Sequence, residues 1–229
     1  GIRDALDVLI AKGRLPKGED VKVVVLGGDG STYDMALSST SGAMHRKLDF
    51  YYICYDNEAY GNTGMQLSAA TPYAARTATS PCSLQHPAAT TQEKKDIFEI
   101  WRAHRPPYIA TVAPRYPLDL EEKFARAAAF TGPKMFLALA ACPTGWLYDP
   151  GATPEVAKLV VETGLWPLKE AINGVVTHTY IPKRKPVEAY LRLQGRFRHL
   201  FEPTVQTDGI RHIQERVDAY WHQVAQEQT

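Results

Sequence analysis

The chain has 229 residues, of which 45% are hydrophobic and 22% charged, with a formal net charge of +1 at pH 7. This is the composition of a globular protein, and the near-zero charge argues against a nucleic acid as the main partner. We expect neither a membrane span, which needs roughly 18 apolar residues in a row, nor a secretory signal, and therefore a cytoplasmic protein.

The chain opens on a predicted helix, IRDALDVLIAKG, and because it starts at Gly1 without a methionine we expect the natural polypeptide to begin upstream. Short apolar runs then recur along the chain. Four of them predict strands: VKVVVL (21–26), FYYICY (50–55), YIATVA (108–113) and KMFLALA (134–140). Their nearly continuous hydrophobicity is typical of strands buried on both faces of a parallel sheet.

Helix signals separate these strands. They are capping boxes at Thr90/Glu93, ahead of KKDIFEIWRAH, and at Asp119/Glu122, ahead of KFARAAAF, and a Thr153-Pro154 start that Gly164 can close. The alternation of strands and helices predicts an α/β fold, with a mostly parallel sheet and helices on both faces.

The last third of the chain has a different pattern. INGVVTHTY contains an Asn-Gly pair between apolar residues and predicts a hairpin, and GIRHIQERVDAYWHQVA predicts a terminal amphipathic helix. We therefore predict an α/β domain over residues 1–165 and a C-terminal extension over 166–229 that packs on this domain and on partner subunits.

An acidic residue, Asp29, stands between two glycines directly after the first strand, and Asn57 follows the second strand. Ligands of parallel sheets bind beyond the carboxyl ends of the strands, so both side chains are expected at one edge. Together with a backbone carbonyl and two diphosphate oxygens, they would nearly complete the oxygen shell of Mg²⁺. The alternative is that Asp29 only caps the following helix. The turn is neither a GxGxxG fingerprint nor a P-loop.

The spacing from Gly28-Asp29-Gly30 to Asn57 is similar to the thiamine diphosphate motif. A longer stretch of sequence is more specific. It resembles the β subunit of pyruvate:ferredoxin oxidoreductase and related 2-oxoacid:acceptor oxidoreductases, and it reads GGDGSTYDMALSSTSGAMHRKLDFYYICYDNEAYGNTGMQLSAATPYAARTATSP. ACPTGW and KPVEAYLRLQGRFRHL resemble later blocks of that subunit. The resemblance implies the thiamine diphosphate-binding fold.

At matching positions, the resemblance implies a set of site residues. Mg²⁺ would be bound by Asp29, the Asn57 side chain and the Ala59 carbonyl, and the diphosphate by Gly28, Gly30 and Ser31. Asn62, the catalytic candidate, would reach the reacting end of the cofactor, with Thr63 as a weaker candidate in the same loop. The alternative for Asn62 is a residue that only stabilises a turn.

Cys142 also has two interpretations. A cysteine after an apolar strand is usually a small buried hydrophobe. The resemblance instead implies the fourth ligand of a [4Fe-4S] cluster, whose three other cysteines would lie upstream of Gly1; otherwise the cluster has been lost. Cys54 is expected in the core, and Cys82 is given no role.

The resemblance finally implies an activity. A multisubunit enzyme would oxidatively decarboxylate a 2-oxoacid to an acyl-CoA and pass electrons through iron–sulfur clusters to a ferredoxin-type acceptor. A partner subunit would supply the carboxylate that activates the cofactor, and a ferredoxin-like subunit would carry further clusters. Pyruvate is the first expectation for the substrate, and an aryl 2-oxoacid such as phenylglyoxylate is open. The alternatives are a non-redox thiamine-dependent decarboxylase or synthase, and a structural subunit without cofactor.

Overall fold

The computed structural model describes residues 1–15 and 21–227. Its strands are β1 (Val24–Gly28), β2 (Phe50–Asp56), β3 (Tyr108–Val112), β4 (Pro133–Leu139), β5 (Lys169–Ile172) and β6 (Val175–His178). Its helices are α1 (Ile2–Ala11), α2 (Leu37–His45), α3 (Ile97–Ala103), α4 (Pro117–Ala127), α5 (Pro143–Trp146), α6 (Thr153–Glu162), α7 (Glu188–Leu191) and α8 (Thr207–Glu227). In this part of the chain, no helix is both long and apolar enough to cross a bilayer.

The strands form one sheet in the order β1-β2-β4-β3-β5-β6. The first four strands of this order are parallel, whereas β5 runs antiparallel to β3, and β6 antiparallel to β5. The mostly parallel sheet predicted from the alternating pattern is therefore confirmed.

Helices cover both faces of the sheet. Along β4, Met135 and Leu137 join the larger core, which also contains buried residues of α3, α6 and α8. Phe136 points to the other face, where it stacks on Phe124 of α4 with ring centroids 4.0 Å apart. This alternation with a period of two residues is what a strand buried on both faces requires.

The hairpin and the terminal helix predicted in the last third are present. β5 and β6 are joined by Asn173 and Gly174, both with positive φ, as a two-residue hairpin turn demands. Because β5 pairs with β3, this hairpin continues the same sheet. α8 buries Ile213, Val217 and Trp221, which lie one helical turn apart on its inner face.

The prediction that the first strand is buried on both faces was wrong. β1 lies at the end of the described sheet, and its side chains at Val24 and Leu26 are 54% and 68% exposed. Its hydrophobicity therefore marks a partly exposed apolar face on an edge strand rather than a strand buried on both faces.

The two capping boxes were also wrong. α3 is capped by Asp96, whose side chain accepts from the Glu99 N–H, while Thr90 is buried and donates to the Ala75 carbonyl. α4 begins at Pro117, two residues before Asp119. Tertiary contacts of Thr90 and the proline start overrode the local signals. The third helix, α6, begins at Thr153 as predicted.

Candidate functional site

Three loops meet at the carboxyl edge of the parallel strands. The last residue of β1, Gly28, pairs with Tyr55 of β2, and Tyr55 pairs with Ala138 of β4. The strands therefore end at the same level, so the loops after them are neighbours. The expectation that the turns carrying Asp29 and Asn57 open on one edge is confirmed.

Asp29 occupies a tight turn between β1 and a π-helical segment, Gly30–Met35. This segment closes with a hydrogen bond of 2.7 Å from the Ala36 N–H to the Ser31 carbonyl. The Asp29 side chain does not cap the segment. It instead accepts a hydrogen bond of 2.6 Å from the Ser68 hydroxyl. The structure therefore lacks the side-chain hydrogen bond that a role of Asp29 as a helix cap would require.

The Asp29 carboxyl is buried and makes no ion pair with a described residue. Only 1% of the residue is exposed, and among the residues that the structure describes no cation lies within ion-pairing distance. Burial raises its pKa from an ordinary value of 3.8 to about 7, and the negative charge of Asp56 adds to the effect. A buried carboxylate is stabilised by a cation that it can coordinate, so this environment fits a metal ligand.

Gly30 allows the first two loops to touch. A Cβ at this position would lie 2.3 Å from the ring of Tyr60. The Tyr60 hydroxyl donates to the Gly30 carbonyl at 3.2 Å and to Asp34 at 3.1 Å. Gly28 is less constrained, because a Cβ there would be at an ordinary contact distance of 3.5 Å from Tyr55. The close approach that Gly30 permits in this structure is therefore to Tyr60.

The loop after β2 fixes Asn57 on two sides. Its side-chain oxygen accepts the Ala59 N–H at 3.2 Å, and its backbone carbonyl accepts the Trp146 indole N–H at 2.8 Å. Asn62 and Thr63 are exposed at the tip of the loop, in a turn closed by a bond from the Gly64 N–H to the Gly61 carbonyl. Asn62 thus lies at the same edge as Asn57 but faces outward.

The sequence analysis missed a buried ionic network next to Asn57. Lys94 lies 2.8 Å from Asp56 and 3.0 Å from Glu58, and Arg196 lies 2.6 Å from the other oxygen of Glu58. The hydroxyl of Tyr33 donates to Asp56 at 2.7 Å. The two acids flanking Asn57 were visible in YDNE, but their partners are too distant in sequence for spacing to reveal them.

These charges fix the loop backbone. Although burial opposes ionisation of Glu58, the charges of Lys94 and Arg196 lower its pKa. Glu58 adopts a left-handed conformation with φ of 65°. Such a backbone costs energy in a residue other than glycine and persists only when its surroundings hold it. The ion pairs therefore hold the loop that presents Asn57 and Ala59.

Cys142 follows β4 and directly precedes the first residue of α5. It is half-buried, and its sulfur accepts the Gly145 N–H at 3.4 Å. Met65 of the preceding loop packs over Gly145. Cys54 is buried in the core, as predicted, and Cys82 is exposed. Among the described residues, no three His, Cys, Asp or Glu side chains are grouped to hold a metal.

Comparisons with known proteins give the family. Residues 9–137 match the model described as thiamine pyrophosphate enzyme, C-terminal TPP binding domain. The chain is 46% identical to pyruvate synthase subunit PorB of Methanosarcina barkeri, over 89% of this chain and 69% of that protein. It belongs to this family of thiamine diphosphate-binding β subunits of 2-oxoacid oxidoreductases. The resemblance found in the sequence is therefore confirmed.

Two further similarities are more distant. The chain is 41% identical to ketoisovalerate oxidoreductase subunit VorB of Pyrococcus furiosus, over 90% of this chain and 67% of that protein. A solved 2-oxoglutarate:ferredoxin oxidoreductase from Magnetococcus marinus aligns with a TM-score of 0.49 and 21% identity, over 65% of this chain and 56% of that one. The PorB and VorB relatives are thus named for two different 2-oxoacids.

Proposed function

We propose that this chain binds thiamine diphosphate and Mg²⁺ in a heteromeric 2-oxoacid:ferredoxin-type oxidoreductase that converts pyruvate and coenzyme A to an acyl-CoA. The observation that carries the proposal is the buried, uncompensated carboxylate of Asp29 beside the loop of Asn57, in a chain of the thiamine pyrophosphate family. Pyruvate is preferred because the PorB relative is named pyruvate synthase.

The residues present fit the cofactor's metal. Asp29, the Asn57 side chain and the Ala59 carbonyl are oxygen donors on two adjoining loops, and oxygen is the ligand that Mg²⁺ prefers. Gly28, Gly30 and Ser31 would approach the diphosphate through their backbone. Ser68 donates to one oxygen of Asp29, and this bond would orient the carboxylate toward the metal. When bound, thiamine diphosphate supplies the carbanion chemistry that removes carbon dioxide from a 2-oxoacid.

Asn62 and Thr63 would act on the substrate side of the cofactor. Both are exposed at the loop tip, where a partner subunit can close over them and exclude water. The amide of Asn62 would donate a hydrogen bond to the 2-oxoacid as negative charge develops on its oxygen. Thr63 bonds to Gln66, which fixes the turn that carries Asn62. The rest of the pocket, and the carboxylate that activates the cofactor, would come from the partner.

Cys142 would ligate one iron of a [4Fe-4S] cluster. Its half-buried position and the N–H of Gly145 pointed at its sulfur suit a thiolate ligand, since hydrogen bonds to sulfur tune cluster potentials. The bond from Trp146 to the Asn57 carbonyl ties its loop to the cofactor loop. Three further cysteines are needed from outside residues 1–229. A non-redox decarboxylase would need no such ligand.

The decisive experiment is made on the complex purified with its partner subunits. We expect stoichiometric thiamine diphosphate in an acid extract, iron in the complex, and acceptor reduction that requires coenzyme A and is fastest with pyruvate among pyruvate, ketoisovalerate, 2-oxoglutarate and phenylglyoxylate. Preference for another 2-oxoacid would overturn the substrate assignment. Absence of iron would favour a non-redox enzyme, and absence of cofactor a structural subunit.

Asp29→Ala tests directly whether the buried carboxylate of Asp29 is needed for cofactor binding. We expect it to abolish cofactor binding with the fold nearly intact, because a metal ligand at the diphosphate is lost. The matched control is Asp218→Ala, which removes an exposed carboxylate on α8 that pairs with Arg184. Full cofactor occupancy in Asp29→Ala, measured beside a control with parent-like circular dichroism, would contradict the metal assignment.

A further inference from the structure

A cavity of about 310 Å³ lies on the sheet face that carries the larger core. Its walls include Leu137 of β4, Phe98 of α3, Val160 of α6 and Val217 of α8. None of the residues proposed to hold the cofactor or the cluster lines it. The cavity therefore excludes the proposed ligands of the cofactor and the cluster, although Glu58 of the loop after β2 lines it. Its volume is at the lower end of the range for small-molecule sites.

Two buried hydrogen-bond donors line this cavity without an acceptor. The indole N–H of Trp166, a residue only 6% exposed, has no partner among the described residues. Lys169, 7% exposed, makes no hydrogen bond or ion pair through its ammonium in the same part of the chain. Its ammonium instead lies over the rings of Phe98 and Tyr220, 4.3 and 5.3 Å from their centroids. A buried donor without an acceptor is costly, so both groups are suited to a ligand that accepts.

The other charged groups of the cavity wall are already matched. Their pairings are Lys94 and Arg196 with Glu58, Lys95 with Asp34, His212 and Arg216 with Glu93, and Asp96 with the start of α3. Among the described cations of the wall, Lys169 is thus the one that lacks an ion pair, while Asp96, which only caps α3, is a wall carboxylate without one. The Lys169 ammonium is therefore available to donate to a ligand that accepts.

The segment that carries the two donors is rigid. The Thr111 hydroxyl accepts the Lys169 N–H at 2.9 Å and donates to the Pro167 carbonyl at 2.6 Å. Leu168, between them, is fully buried. A site whose donors are held by such contacts need not reorganise when a ligand binds, and this raises affinity.

We propose that this cavity binds a small organic carboxylate with an apolar or aromatic body. The carboxylate accepts hydrogen bonds from the Lys169 ammonium and the Trp166 indole, and the body lies against the apolar wall at Phe98 and Leu137. The volume admits a molecule of about one substituted ring. The site is additional to the one that holds thiamine diphosphate.

Calorimetric titration of the full chain tests this site, with phenylacetate as the probe and phenylacetamide as its uncharged counterpart. We expect phenylacetate to bind with one-to-one stoichiometry and phenylacetamide to bind much more weakly. Lys169→Met should weaken phenylacetate binding about ten- to a hundredfold, the effect of losing a charge-assisted hydrogen bond. Lys183→Met, which removes an exposed lysine between β6 and α7, should leave binding unchanged.

Trp166→Phe is the second variant, because it keeps an aromatic ring and removes only the N–H donor. It should weaken phenylacetate binding severalfold and decides the case if Lys169→Met does not fold. Asp29→Ala should bind the probe like the parent, so failure of the cofactor assignment is distinguishable from failure of this site. Absence of phenylacetate binding to the folded parent, equal binding of phenylacetamide, or parent-like affinity in the folded donor variants would overturn the proposal.

Discussion

Two acidic loops lie side by side at the carboxyl edge of the sheet, yet the pKa of a buried carboxylate is lowered in one loop and raised in the other. Glu58 in the loop after β2 is matched by Lys94 and Arg196, and their charges lower its pKa. Asp29 in the turn after β1 is also buried, but among the described residues its carboxyl makes no ion pair; it accepts from the Ser68 hydroxyl, and burial raises its pKa to about 7.

The difference is the one expected between an acid that stabilises the fold and an acid that binds a metal. Carboxylates in ion pairs hold the backbone in place, and their removal lowers the free energy of unfolding. An unmatched carboxylate weakens the fold when it is ionised and is best explained by a cation from outside the chain. Burial alone therefore does not point to a site residue, whereas burial without an ion pair, as at Asp29, supports the proposed metal site.

The cysteines repeat this contrast. Cys54 is fully buried in β2, and burial raises the pKa of its thiol, so it stays protonated and acts as a small core residue. Cys142 is half-buried in a loop at the edge, with an N–H donor at its sulfur.

The largest effect is expected for Cys142→Ser in the assembled complex. Thiamine diphosphate should remain bound, while cluster iron is lost and reduction of the external acceptor stops, because a hydroxyl replaces a thiolate ligand. Cys82→Ser, at an exposed cysteine, is the control. Parent-like iron content and electron transfer in Cys142→Ser would show that its sulfur is not a ligand.

Lys94→Met should cost about 3–5 kcal/mol of the free energy of unfolding, since it leaves two buried carboxylates without their shared cation. Urea denaturation measures the effect, and Lys183→Met provides an exposed lysine for comparison. A loss below about 1 kcal/mol would mean that the network is not what holds the loop, and the contrast with Asp29 would fail.

Asn62→Ala should leave the cofactor bound and slow turnover. The expected loss of transition-state stabilisation is about 2–4 kcal/mol, as for other donors aimed at developing charge. Steady-state kinetics should show a fall in kcat with cofactor occupancy unchanged. If kcat stays at the parent value, Asn62 only stabilises the turn at the loop tip.

The smallest expected effect is the pH dependence of stability that Asp29 causes. The pKa of Asp29 in the folded chain, about 7, lies above its ordinary value of 3.8, so the folded state binds the extra proton between these values. Stability of the metal-free chain should therefore fall as pH rises through this window, by roughly 2 kcal/mol between pH 5 and 8. Asp29→Asn should remove this dependence; an identical pH profile in parent and variant would disprove it.

Much of the framework was predictable from the sequence because it rests on local patterns. Apolar runs marked the strands, Asn173-Gly174 marked the hairpin turn, and Thr153-Pro154 marked the start of α6. The turn at Asp29 was found because parallel strands bring their carboxyl ends together, a rule of topology rather than of the individual residue.

What escaped prediction depends on contacts between residues far apart in sequence. Lys94 belongs to a stretch that reads as the start of a helix, but its ion pairs with Asp56 and Glu58 hold it outside α3. Arg196 lies 138 residues from Glu58. Periodicity contains no signal for such pairs, nor for whether a buried acid such as Asp29 finds a counter-charge.

The exposed edge of the sheet has a consequence for production of the protein. Among the described residues β1 pairs only with β2, and apolar side chains such as Leu26 face solvent. A hydrophobic edge strand of this kind is a template onto which a further strand can add, and it favours aggregation. We therefore expect co-expression of a polypeptide that covers this edge to improve the yield and monodispersity of the recombinant chain.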